Sequence, residues 1–241
     1  MKIEWNKVTW YSKFIALALF VALPFIGFYY GVQYGKIVGD IGQPPAITAA
    51  STSTVAGTGA SYYNDPDEWQ TDANNIAGGF SIAYPLDFNA QDNYSAAPST
   101  DWRADANGTS GIKYFTLTVP SAFEPQTNFA DATLTVGASG NNTAVAQCLV
   151  ADQSGGPLIA TSSATINGID FTVFKSSDAG AGNYYETTSY RTLHGGECYA
   201  VEYTVHSSQI ANYPASYNLQ PFNEQQIDSV MQNILGTFKF M

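Results

Sequence analysis

Cys148 and Cys198 have the most definite chemistry open to them in this chain, and they stand about 50 residues apart. In an oxidising compartment such a pair forms one disulfide. Closing a loop of that size contributes about 4 kcal/mol in the chain-entropy account. Two buried free thiols, or a redox pair, are the alternatives; the Cys-x-x-Cys spacing usual for a redox pair is absent. Two cysteines without partner histidines do not make a zinc site.

Oxygen-bearing residues cluster next. Asp101, Asp105 and Asn107, followed by Gly108, are candidate Ca²⁺ ligands. An EF-hand needs oxygens at alternating positions before its glycine and a later bidentate Glu. Arg103 breaks that register and no Glu follows at the bidentate position. A polar turn held by Asx hydrogen bonds is the competing reading. Asp65, Asp67 and Glu68 form a second such cluster.

The histidines, His194 and His206, lie near opposite ends of one strand region and make a poor joint metal site. Ser139, in Gly-Ala-Ser-Gly, lacks the glycine spacing of a nucleophile elbow, and Ser110-Gly-Ile-Lys113 enters a strand where the serine enzymes open a helix. The expectation is a protein that is not an enzyme, with no cofactor and no metal centre assigned.

These groups must be positioned by strands. Phe80, Ile82 and Tyr84 alternate in a first strand, Phe115, Leu117 and Val119 in a second, and Ala132, Leu134 and Val136 in a third. The stretch from 90 to 111 is polar and reads as a long loop or a pair of turns. A short helix over 142–149 has an Asn cap and carries Cys148. Asn167-Gly168 is the strongest hairpin signal, and a glycine-rich turn at 179–182 precedes two long strands joined at 194–197. Tyr199, Val201, Tyr203 and Val205 share a core face; Cys198, Ala200, Glu202, Thr204 and His206 take the other. Tyrosines in such strands pack as cross-strand pairs, while exposed ones would suit sugars or a protein partner. Ile227, Val230, Met231, Ile234 and Leu235 follow helical spacing behind the Asn223 cap, with Gly236 placed to end the helix and a last short strand after it. The sum is α+β: a twisted antiparallel sheet packed by a C-terminal helix and a short second helix.

Residues 14–35 form an uncharged apolar run, about 33 Å long as a helix against a hydrocarbon core of about 30 Å. Pro24 is tolerated in such a span. Lys2, Lys7 and Lys13 against Glu4 place the N-terminus in the cytoplasm by the positive-inside rule. The rival is a cleaved signal peptide, but bulky aromatics occupy the positions a small-x-small cleavage site needs. The expected organisation is a cytoplasmic tail (1–13), a transmembrane signal anchor (14–35), a Pro/Ala/Ser/Thr/Gly-rich flexible linker (36–61) and an extracytoplasmic domain (62–241).

From Tyr62 onward five basic residues face eighteen acidic ones, a balance of −13. Phosphate backbones would repel such a domain, so no nucleic-acid partner is expected. Cationic partners or Ca²⁺ are allowed, and solubility in an exported protein is the plain reading.

Three features carry a resemblance: the opening Gly-Phe-Ser-Ile-Ala-Tyr-Pro at 79–85, the strand Glu-Cys-Tyr-Ala-Val-Glu-Tyr at 197–203, and the closing helix and strand to Phe238-Lys239-Phe240. Together they resemble the PsbP-like fold over residues 65–241. The anchor plus this domain is similar to uncharacterised single-span envelope proteins of candidate-phylum bacteria. The resemblance implies a binding or assembly role, with another envelope protein as partner or, alternatively, a small ligand or glycan. An envelope hydrolase is the third reading.

Overall fold

Long strands that alternate apolar and hydroxyl-bearing residues dominate the regular structure. The computed structural model describes residues 13, 19–20, 63, 65–74, 79–92, 98–151 and 157–241. The chain divides into two units, Met1–Ala56 and Gly57–Met241, a boundary inside the expected linker. In the first unit Lys13, Leu19 and Phe20 are helical. The rest of the expected tail, anchor and linker lies outside the described residues, among which no helix is long and apolar enough to cross a membrane.

The strands are β1 (Gln70–Asn74), β2 (Phe80–Tyr84), β3 (Asn89–Asp92), β4 (Ile112–Pro120), β5 (Phe129–Ser139), β6 (Leu158–Ile166), β7 (Ile169–Gly180), β8 (Asn183–His194), β9 (Glu197–Ser208) and β10 (Lys239–Phe240). The helices are α1 (Asn142–Gln147) and α2 (Glu224–Gly236). Among the described residues they form a seven-stranded sheet, β3-β4-β5-β9-β8-β7-β6, and a three-stranded sheet, β1-β2-β10, with neighbouring strands antiparallel throughout. The α+β class stands, with two sheets in place of one.

Turn chemistry lays out half of the large sheet. Asn167-Gly168, Ala181-Gly182 and Gly195-Gly196 each have two residues at positive φ. That is the type I′ pattern, whose twist matches the strands it joins, so β6 to β9 run as a meander. The middle turn puts Ala181, which is not a glycine, at φ 51°.

One face of the seven-stranded sheet, the inner face, meets α2. Phe115, Leu117, Leu134, Val136, Val201 and Tyr203 pack there with Ile227, Val230, Met231, Ile234 and Leu235 of α2. Each buried aliphatic side chain of α2 contributes about 1.5–3 kcal/mol. The helix opens as its sequence indicates: the Asn223 side chain accepts the Gln226 N–H at 3.2 Å.

It ends differently. Gly236 is the last helical residue, and Thr237 closes the helix. The Thr237 hydroxyl donates to the Ile234 carbonyl at 2.6 Å and accepts the Ala83 N–H of β2 at 2.8 Å. The Asn167 side-chain amide donates to the carbonyls of Gly236 and Phe238, both at 2.8 Å. The helix C-terminus is thus capped by one adjacent group, Thr237, and one distant in sequence, Asn167, which satisfy carbonyls a helix end leaves open.

β1 has no alternation in Gln-Thr-Asp-Ala-Asn and gave no signal; it forms by pairing with β2. The polar stretch 90–111 also differs from a plain loop. It completes β3, and Ser99 and Gly111 then pair at its base. Between them it folds onto the outer face of the large sheet and buries Trp102 completely.

Burial of phenols has a measurable consequence. Desolvation pushes the Tyr203 hydroxyl up to about 12, and it also raises Tyr84, Tyr114, Tyr190 and Tyr199. A phenol whose ionisation is raised by folding stabilises the native state below its ordinary value of 10, and that contribution is lost as pH climbs from there to about 12. Alkaline titration followed by tyrosinate absorbance and circular dichroism should show a group of tyrosines that ionises only together with loss of structure. Ionisation of all tyrosines with the fold intact would contradict this.

Candidate functional site

The outer face of the large sheet is lined with hydroxyls. Thr118, Thr133, Thr204 and Thr187 stand opposite one another on β4, β5, β9 and β8. A second row runs from Thr116 to Thr135 and ends at Glu202 and Ser189. The alternation that sends Leu117, Leu134 and Tyr203 inward sends these residues outward.

Part of this face is covered by a plug, the 98–111 segment. Trp102, Ala106, Ala144, Cys148, Cys198 and Ala200 form a second, smaller core beneath it. Two glycines make room for Trp102, one at its ring and one at its backbone. A β-carbon on Gly111 would lie 2.4 Å from the Trp102 ring, and one on Gly137 would lie 2.3 Å from the Trp102 carbonyl oxygen.

Glu202 ties plug to sheet. It is buried, accepts the Ala104 N–H of the plug, and accepts the Ser189 hydroxyl at 2.5 Å. Arg191, fully buried, donates from Nε to Ser189 at 2.8 Å and lies 3.9 Å from Glu202. Its guanidinium also sits 4.5 Å above the Phe174 ring. A buried carboxylate is tolerated when charge and hydrogen bonds compensate it, and both are supplied here.

Where the plug stops, a cleft of about 250 Å³ opens. Thr133, Thr135 and Thr204 line it from the sheet, and Asp101, Arg103, Ala104, Lys113 and Glu202 complete its walls. Lys113 Nζ bonds Asp101 at 3.0 Å. Hydrogen bonding from Ser99, and then the Lys113 ammonium, hold the Asp101 carboxyl below its ordinary range. The cleft offers hydroxyl donors and acceptors, a guanidinium and an ammonium inside a strongly acidic domain. Among its described lining residues no nucleophile is paired with a base.

The sequence candidates fall as follows. Cys148 and Cys198 are joined in a disulfide, with S–S 2.12 Å and Cα–Cα 5.5 Å. Cys148 caps the C-terminus of α1 and Cys198 lies in β9, so the bond pins that helix to the sheet. The N-cap of α1 is Asn141, whose side chain accepts the Thr143 N–H at 2.9 Å.

Asp101 faces Lys113, whereas Asp105 accepts the N–H of Asn107 at 3.0 Å in an Asx turn. Asn107 takes φ 47° in that turn. Among the described residues no group of three or more His, Cys, Asp or Glu gathers to hold a metal.

The histidines sit at opposite ends of the β8–β9 ladder. His194 stacks on Phe240, centroids 3.7 Å apart, beside a second cleft of about 420 Å³. His206 Nδ1 lies 3.1 Å from Asp131 Oδ2, and its ring stacks on Tyr185. A histidine held by a carboxylate is half of a hydrolytic constellation. Here its Nε2 faces Asn183 Oδ1 at 2.9 Å, in the place a serine would need. Ser139 is spent locally: its hydroxyl donates to the Ser110 carbonyl and accepts the Asn141 N–H.

Sequence reasoning missed Trp102, Arg191 and the threonine rows. The Thr-x-Thr pairs at 116–118 and 133–135 were visible, but only the register sets them side by side.

No protein-family model and no curated protein matches the chain. Among solved structures, a crystal structure at 1.50 Å of a protein from Bacteroides thetaiotaomicron VPI-5482 is similar, with TM-score 0.38 and 14% identity. The match covers 71% of this chain and 48% of that one, so this chain spans about half of that protein's length.

Proposed function

We propose that this chain is a membrane-anchored, extracytoplasmic, non-enzymatic binding protein of the bacterial envelope, with a PsbP-like α+β domain. The observation that carries binding is the threonine-lined cleft beside the plug, which presents donors, acceptors and two cations without a reacting pair. Its chemistry suits a small polyhydroxylated ligand or glycan. The Cys148–Cys198 bond supports an oxidising, extracytoplasmic address, and the basic-then-apolar N-terminal sequence supports a single-pass anchor with its N-terminus in the cytoplasm.

Full-length protein in detergent is titrated with neutral and acidic oligosaccharides, by calorimetry or an array. Thr135→Val should weaken binding several-fold, in line with about 1 kcal/mol for one hydrogen bond. Lys113→Ala should weaken acidic sugars more than neutral ones. Wild-type affinity in both variants, or no saccharide retained at all, removes the cleft reading.

A second reading, scaffolding of another envelope protein, is favoured by a separate feature. Tyr184, Tyr213 and Tyr217 are exposed, and the last two pack with centroids 6.2 Å apart. Exposed tyrosines are enriched where proteins meet. Crosslinking in the native membrane with a photoreactive group at Tyr213 should capture a protein in that case, and adding Tyr217→Ser to that chain should lose it.

A further inference from the structure

Among the described residues the seven-stranded sheet ends at β6, and this edge strand is unusual. Natural edge strands are kept short, charged, or broken by proline to prevent pairing with other chains. The opposite edge, β3, obeys this: it is short and ends in Asp92. β6 reads Leu-Ile-Ala-Thr-Ser-Ser-Ala-Thr-Ile, with no charge, proline or glycine, and it is mostly exposed. Its only break is a bulge between Leu158 and Ala160, which leaves residues 160–166 regular.

The order of residue types in β6 is symmetric about its centre, Ser162. Ala160 and Ala164 are equidistant from it, as are Thr161 and Ser163. Further out, Ile159 mirrors Thr165, both β-branched, and Leu158 mirrors Ile166. Two copies related by a two-fold axis through Ser162 and normal to the sheet would pair antiparallel with like residues opposite like. An isologous interface requires this self-complementarity. Two domains of strong negative charge would approach there along a segment that carries none.

We infer that β6 pairs with β6 of a second copy of this chain, antiparallel and centred on Ser162, making one sheet continuous across a homodimer. The regular stretch 160–164 forms the shared ladder, and the apolar ends flank it. Main-chain hydrogen bonds supply the affinity, as in other strand additions.

The centre of symmetry gives a direct test on the full-length protein in detergent. Two Ser162 residues facing each other across the axis have Cα atoms about 4.5–5.5 Å apart, a span a disulfide bridges. Ser162→Cys should therefore crosslink to itself under mild oxidation, much faster than Ser121→Cys, an exposed position elsewhere. Sedimentation should show a wild-type dimer, and a monomer with unchanged circular dichroism in Ser162→Lys, where two cations would meet. Thr161→Lys is the second variant on the same edge and should act likewise. A monomeric wild type, a dimer that survives both lysines, or equal crosslinking at 121 and 162 overturns the pairing.

Discussion

Breaking the Cys148–Cys198 bond lowers the stability of the domain by about 4 kcal/mol. The bond spans a sequence separation of 50, so its loss frees a long loop in the unfolded chain. The native state suffers too. α1 is a helix of 6 residues and is too short to persist on its own. The disulfide and its neighbours Trp102 and Ala144 hold it against β9. A double Cys148→Ser, Cys198→Ser variant should melt about 10 °C lower, from the usual scaling for a domain of this size. It should also place two hydroxyls where Cys148 and Cys198 are nearly fully buried. Intact-mass measurement after alkylation of the unfolded, unreduced protein should find no free thiol. Two alkylated cysteines, or equal melting of variant and wild type, would refute the structural role of the bond.

Trp102→Ala should cost about 3–5 kcal/mol, the range for removing a fully buried large aromatic. Its consequences should be local first. The indole is the centre of the second core, beneath the plug that supplies Asp101, Arg103 and Ala104 to the cleft. Hydrogen exchange should therefore accelerate over 98–111 and α1, while amides of α2 and its inner-face partners keep more of their protection. Gly137→Ala reaches the same place from the sheet side, because its β-carbon would collide with the Trp102 carbonyl oxygen. Both variants should also weaken any ligand of the cleft. Unchanged exchange over 98–111 in both would show that the plug does not depend on this contact.

Much of the fold was legible because the chain alternates cleanly where it forms strands. Phe115-Leu117-Val119 and Ala132-Leu134-Val136 are buried as their spacing indicates, and the helix that buries Ile227 to Leu235 obeys its own period. Asn167-Gly168 turns where its residue types demand positive φ. The pairing of Cys148 with Cys198 was likewise open to reading, since only two cysteines exist. β1 was not legible, because a polar strand exists only through its partner. Nor was the plug: the residues around Trp102 are turn formers, and nothing local indicates that its ring will seat against Gly111, just before β4, and its backbone against Gly137 of β5.

The candidate cleft shows the same division. Its threonines belong to strands that periodicity identifies, but the cleft itself depends on which strands are neighbours. Thr133 and Thr204 are 71 positions apart and adjacent in space because β5 pairs with β9. Arg191, Ser189 and Glu202 meet through the β8–β9 register; a shift of one residue would turn each to the other face.

By itself, then, the sequence determined periodicities, turns, caps, the single cysteine pairing available and the acidic balance of the domain, all of them local or compositional properties. The tertiary structure decided strand order, the burial of Trp102 and Arg191, the capping of α2 by Asn167, and the convergence of hydroxyls and cations at one cleft. These depend on contacts between residues far apart in the chain, and such contacts leave little trace in the local pattern of either partner.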